Sequence, residues 1–120
     1  MEYKDLVTMK PLKEIEVVKD FFPRPKWRYR KEGKGSGQEF REDYLTKALQ
    51  EYTKVKVDLT GYNRYGPSFI SEAFGGLIRE SDFTLNELEE RLTIEHELLP
   101  SVIEMCWVEL READKEMNGE

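Results

Sequence analysis

The sequence predicts a single α/β domain: a small mixed, mostly parallel sheet with an N-terminal β-hairpin and helices packed against it. Two observations carry this. Short apolar runs at period two alternate along the chain with longer runs at three and four, the signature of strands interleaved with helices. A chain of 120 residues without internal repeats also fits one core. Residues 1–12 lack periodicity and are expected to form an N-terminal arm or short edge element, residues 13–114 the domain, and residues 115–120 a polar tail.

The first strand is expected in "EIEVVKDFF" from Glu14, where Ile15 and Val17 share a side and Val18 begins to break the alternation. Pro23 and Pro25 end it, since each removes a backbone donor. In "KWRYR", Trp27 and Tyr29 alternate with Arg28 and Arg30, so a second strand is expected with its aromatics toward the core, paired to the first as a hairpin. "GKGSG" is a loop, and Ser36 with Glu39 has the form of a capping box. Phe40, Tyr44, Leu45, Ala48, Leu49 and Tyr52 then recur at helical spacing.

Val55, Val57 and Leu59 give a strand of about six residues. In "YGPSFISEAFGGLI", Phe69, Ile70, Ala73, Phe74, Leu77 and Ile78 form a wide helical stripe interrupted by Gly75 and Gly76. Each glycine costs about 1 kcal/mol against alanine, so either close packing compensates or the helix ends there. Thr84 and Glu87 repeat the capping box, and "LTIEHE" reads as a strand through Leu92, Ile94 and His96. Pro100 opens a last amphipathic helix through Val102, Ile103, Cys106, Trp107, Leu110 and Ala113.

Composition narrows function. With 37% charged residues and a mean hydropathy of −0.72, the chain has no apolar run near the roughly 18 residues that cross a bilayer. Residues 1–10 lack a signal-peptide core, so a cytoplasmic location is expected. Cys106 and His96 are the lone representatives of their types, so no internal disulfide and no zinc site of the usual ligand count can form, and neither metal nor cofactor is expected. The net charge of −6 is uneven: Arg24, Lys26, Arg28, Arg30, Lys31 and Lys34 stand against Glu32, a local +5, leaving −11 elsewhere. The acidic body disfavours general nucleic-acid affinity, although the basic strand 24–34 suits an anionic partner.

"WRYRKEGKGSGQEFREDYL" and "VKVDLTGYNRYGPSFISEAFGGLIRE" resemble a bacterial family of STAS-like domains of unknown function, related to the anti-sigma factor antagonists. The resemblance runs from about Trp27 to Glu80. It implies a STAS-like fold and a regulatory, signalling role exercised through protein–protein interaction. The wider class has a strand ending in Asp-Leu-Ser, then a helix beginning at a phosphorylatable serine. Here "DLT" is Asp58, Leu59 and Thr60, and Ser68 occupies the place of that serine. Gly66 and Pro67 replace the aspartate usual before it, and Phe69 replaces the glycine after it. A histidine-kinase-like ATPase is the partner class so implied, met through Ser68, Asp58, Thr60, Tyr62 and Tyr65.

Bottom-up readings stay beside these. Ser68 is a switch or merely a helix cap, and Asp58 a docking group or a loop-ordering carboxylate. Arg28, Arg30, Lys34 and Ser36 form a candidate anion site, although the glycine loop lacks the spacing of a nucleotide-binding motif. Core-facing Trp27 and Tyr29 would leave no rings to stack on bases. An esterase built from Ser68, His96 and Asp58 lacks the nucleophile elbow, so no enzyme is expected. An exposed edge beside residues 1–12 suits pairing with a second copy.

Overall fold

Val55, Val57, Leu92 and Ile94 place branched apolar side chains on one face at every second position, and the sheet forms around them. The computed structural model describes residues 9–119 and contains, among them, three strands: β1 (Lys10–Glu16), β2 (Tyr52–Asp58) and β3 (Leu92–Glu95). β2 is central and runs parallel to both neighbours, with Ile15 opposite Val57 and Val57 opposite Ile94. Four helices accompany them: α1 (residues 37–51), α2 (residues 67–79), α3 (Leu85–Arg91) and α4 (Pro100–Met117). The protein is a mixed α/β domain with an all-parallel sheet.

The two successive parallel connections in the order β1-β2-β3, which by the general rule cross over right-handed, put α1 and α2 on one face. The burial pattern agrees. Ile15, Val55, Val57, Leu92 and Ile94 are buried, together with Phe40, Leu49, Phe69, Phe74 and Leu110 from the helices. On the opposite face Lys56 lies 3.8 Å from Glu14 and 3.5 Å from Glu95, a solvated ladder of weak pairs.

The hairpin is absent among the described residues. Instead of continuing as a strand, Val17–Phe21 closes a wide π-type turn: the Phe22 amide donates to the Val17 carbonyl at 2.9 Å, and the Glu16 amide to Asp20 Oδ2 at 2.8 Å. Residues 26–30 do not pair with β1. Their backbone folds onto the loop before α1, with Gly37 N–H donating to Trp27 C=O at 2.7 Å and Gln38 N–H to Arg28 C=O at 3.0 Å. Trp27 and Tyr29 consequently face outward, 36% and 42% exposed, against the expectation that they enter the core. Of the expected arm, residues 10–12 belong to β1, and residues 1–8 lie outside the described residues.

The second capping box forms in full, and the first forms with its return bond shifted by one residue. Ser36 Oγ accepts from Glu39 N–H at 3.0 Å, while the Glu39 carboxylate accepts from Gly35 N–H at 3.0 Å. Thr84 and Glu87 exchange bonds of 3.1 and 3.2 Å at the start of α3. Arg91 caps the other end of α1, its guanidinium donating to the carbonyls of Leu49, Tyr52 and Thr53.

Candidate functional site

Because the strands are parallel and each is followed by a helix running back, the starts of α1, α2 and α4 gather beyond the carboxyl ends of the strands, where α/β folds place their sites. The loop from β2 to α2 is the centre of this surface. Asp58 Oδ1 accepts from the Thr60 amide at 3.0 Å, and Thr60 Oγ1 accepts from the Glu97 amide at 2.8 Å. Asp58 is thus a loop-ordering carboxylate, and Thr60 latches the β2–α2 loop to the β3–α4 loop.

His96 makes the second latch. Its Nδ1 faces the amides of Leu98 and Leu99, both at 3.1 Å, so Nδ1 accepts and Nε2 carries the proton, which it donates to the Tyr62 carbonyl at 2.9 Å. Both ring nitrogens are therefore engaged by backbone, and neither is free to draw a proton from Ser68. Asp58 is directed to Thr60 rather than to His96, so the three esterase candidates are not assembled.

Tyr65 departs from its expected place on the docking surface. It is buried; its hydroxyl donates to the Leu59 carbonyl at 2.8 Å, and its ring meets Tyr62 and Phe69 at centroid distances of 5.0 and 6.0 Å. Burial pushes the phenol pKa far above its ordinary value. Tyr65 supports the loop from below, while half-buried Tyr62 remains at the surface.

α2 begins at Pro67 with Gly66 as its N-cap, and no side chain caps it. Ser68 is therefore not the cap. It lies exposed on the first helical turn, beside exposed Asn63, Arg64 and Pro67.

The glycines inside α2 are explained by arginines. The helix continues through Gly75 and Gly76 to Arg79. A Cβ on Gly76 would collide with the Arg41 guanidinium, and one on Gly75 would come within 2.9 Å of the Arg79 guanidinium. Arg41 is buried, with Nη1 at 2.6 Å from Glu72 Oε2 and 2.8 Å from the Glu72 carbonyl; its Nε has no partner. Each partner sits in a π-helical turn, Arg41–Leu45 in α1 and Ser71–Gly75 in α2. Nearby, Gly37 permits the helices to approach, since a Cβ there would lie 2.6 Å from the Phe69 carbonyl oxygen. Sequence reasoning missed this pair. Its signal was phase: Arg41 falls four residues before buried Leu45, and Glu72 falls within the Phe69–Ala73 stripe.

The expected anion site does not assemble. Arg30 is held by Glu42 at 3.0 Å and Asp43 at 2.8 Å, Arg28 lies 3.9 Å from Glu72, and Ser36 is buried as a helix cap. Only Lys34 of that set remains exposed without an ion pair among the described residues.

No described helix is long and apolar enough to cross a membrane. The model of one protein family, described as a STAS-like domain of unknown function (DUF4325), matches residues 36–99, from the cap of α1 to the residue before α4. No curated protein and no solved structure matches the chain.

Proposed function

Because the chain belongs to the family of STAS-like domains of unknown function, we propose that it is a regulatory protein-binding module akin to the anti-sigma factor antagonists. It docks a protein partner through residues 62–68 and the start of α2, with phosphorylation of Ser68 as the switch. The observation that carries this reading is the exposed Ser68 hydroxyl on a helix whose cap is Gly66. A hydroxyl not engaged in capping is open to a kinase, and a phosphate there meets the unpaired amides and positive end of the helix. Adding close to two negative charges to a docking surface changes its affinity by repulsion or by a new arginine pair. The latches through Thr60 and His96 favour the reading further, since they hold the loop in one shape before a partner arrives.

A histidine-kinase-like ATPase is the partner class. The test uses the full chain as bait, unaltered and as Ser68→Ala and Ser68→Asp. Such an ATPase should be captured by the first two and lost by Ser68→Asp. Extract plus ATP should add one phosphate to the unaltered chain and none to Ser68→Ala. Equal capture by all three without phosphate gain overturns the proposal.

A further inference from the structure

Residues 24–34 lie outside the part of the chain matched by the family and on a segment the docking surface does not use. The loop is closed at its neck, where Lys26 N–H donates to Gly35 C=O at 3.1 Å and Gly37 N–H to Trp27 C=O at 2.7 Å. Within it, Trp27 and Tyr29 are exposed and separated by one residue on extended backbone. Trp27 is seated against Gly33, where a Cβ would strike the indole, so the ring is held from that side while about a third of the residue stays open.

The charges divide into two groups. Arg28 and Arg30 are committed to Glu72, Glu42 and Asp43. Arg24, Lys26, Lys31 and Lys34 are exposed and form no ion pair among the described residues. Lys26 Nζ stands 4.7 Å from the Trp27 ring centroid, and Lys31 Nζ 5.9 Å from that of Tyr29. The one acidic residue, Glu32, turns its carboxylate onto the Tyr29 amide at 2.8 Å. Four cations outside any ion pair among the described residues thus surround two part-exposed rings, Lys26 and Lys31 lying over the rings themselves, with the one anion of the segment folded inward.

From this arrangement we infer that residues 24–34 bind single-stranded nucleic acid. Bases stack on Trp27 and Tyr29 as Lys26 and Lys31 swing from over the rings onto the phosphates, which Arg24 and Lys34 also follow. A duplex fits less well: the segment contains no more than one short turn of helix, Arg30–Glu32, and nothing else that enters a groove. An acidic peptide would use the cations and leave the rings idle. The acidic remainder of the chain opposes binding at long range, so the affinity belongs to low and moderate salt.

The experiment is fluorescence anisotropy of the full chain with labelled oligo-dT and oligo-U of about 20 nucleotides, starting near 50 mM salt. Binding in the roughly micromolar range is expected, with a log–log salt slope of about −3, as four phosphate contacts on a single strand require. Trp27→Ala and Tyr29→Ala should each weaken it about tenfold. Lys26→Glu with Lys31→Glu should abolish it, and Arg30→Ala should change it little. Circular dichroism checks that each variant is folded; should Trp27→Ala unfold, Tyr29→Ala still decides the stacking claim. No binding at low salt overturns the inference. So does equal competition by poly-glutamate combined with indifference to loss of either ring, the outcome expected of a site for acidic protein.

Discussion

Arg41 and Glu72, 3% and 8% exposed, show how a small core tolerates charge. Desolvating two ions costs several kcal/mol, and the 2.6 Å contact with the added carbonyl bond offsets much of it. Removing one partner strands the other. Arg41→Met should therefore lower unfolding free energy by about 3–5 kcal/mol in urea titrations, whereas Arg41→Met with Glu72→Met should recover most of the loss. Gly76 is bound to the same pair. Alanine at a helical glycine normally stabilises by about 1 kcal/mol, but here its Cβ meets the guanidinium, so Gly76→Ala should destabilise by about 1–3 kcal/mol. In the Arg41→Met background that penalty should shrink, giving a coupling readable in a double-mutant cycle. Neither residue declared itself in the sequence, because a charge at a core phase looks the same on paper as a charge at the edge of a stripe.

At the scale of elements, legibility followed the number of residues that share one pattern. α1 carried five apolar positions in helical phase and α2 six, and both were readable, although Tyr52, expected to close α1, opens β2; β2 was readable from Val55 and Val57, with Leu59 just beyond its end. The two capping motifs needed only local geometry: the Thr84–Glu87 box formed in full, and Ser36 caps α1 while Glu39 reaches one residue further back, to the Gly35 amide. The segment around Trp27 had two alternating aromatics and no more. Alternation that short is equally available to a loop, and whether it becomes a strand depends on a partner edge; here the loop before α1 took its hydrogen bonds first. The loops of the candidate site were legible as loops, but their latches join residues 34 and 37 positions apart, a pairing that periodicity does not encode. His96→Ala tests the latch directly. It leaves the amides of Leu98 and Leu99 and the Tyr62 carbonyl without their partner, so stability should fall by about 1–3 kcal/mol. Hydrogen exchange at Leu98 and Leu99 should accelerate more than at Val55 or Val57; uniform acceleration would mean that the histidine holds the fold rather than the loop.

The whole molecule is a one-sided sandwich, and its radius of gyration of 13.7 Å matches the value of about 13.6 Å for one compact domain of this length. Among the described residues β1 is an edge strand, and it carries Lys10, Pro11 and Lys13, residue types that blunt pairing with another strand. The covered side holds two acids in their neutral forms, Tyr65 ahead of α2 and Cys106 in α4. Burial is the main cause of a raised pKa at each, above ordinary values of 10.0 and 9.0. The sign of the linkage follows. Below about pH 7.5 both groups are protonated whether the chain is folded or not, and stability is unaffected. Above it the unfolded chain releases protons that the folded core retains, the unfolded state binds fewer, and stability falls as pH rises. Each group contributes a slope approaching 1.36 kcal/mol per pH unit once its unfolded form is ionised. Urea midpoints between about pH 8 and 11 should therefore decline steeply. Cys106→Ala should remove the earlier part of that decline while lowering stability at neutral pH through the cavity it leaves. Tyr65→Phe should remove the later part and, at neutral pH, sacrifice only the bond to the Leu59 carbonyl. Unchanged alkaline slopes in both variants would show that exposed lysines and tyrosines, rather than these two buried acids, set the alkaline limit of the fold.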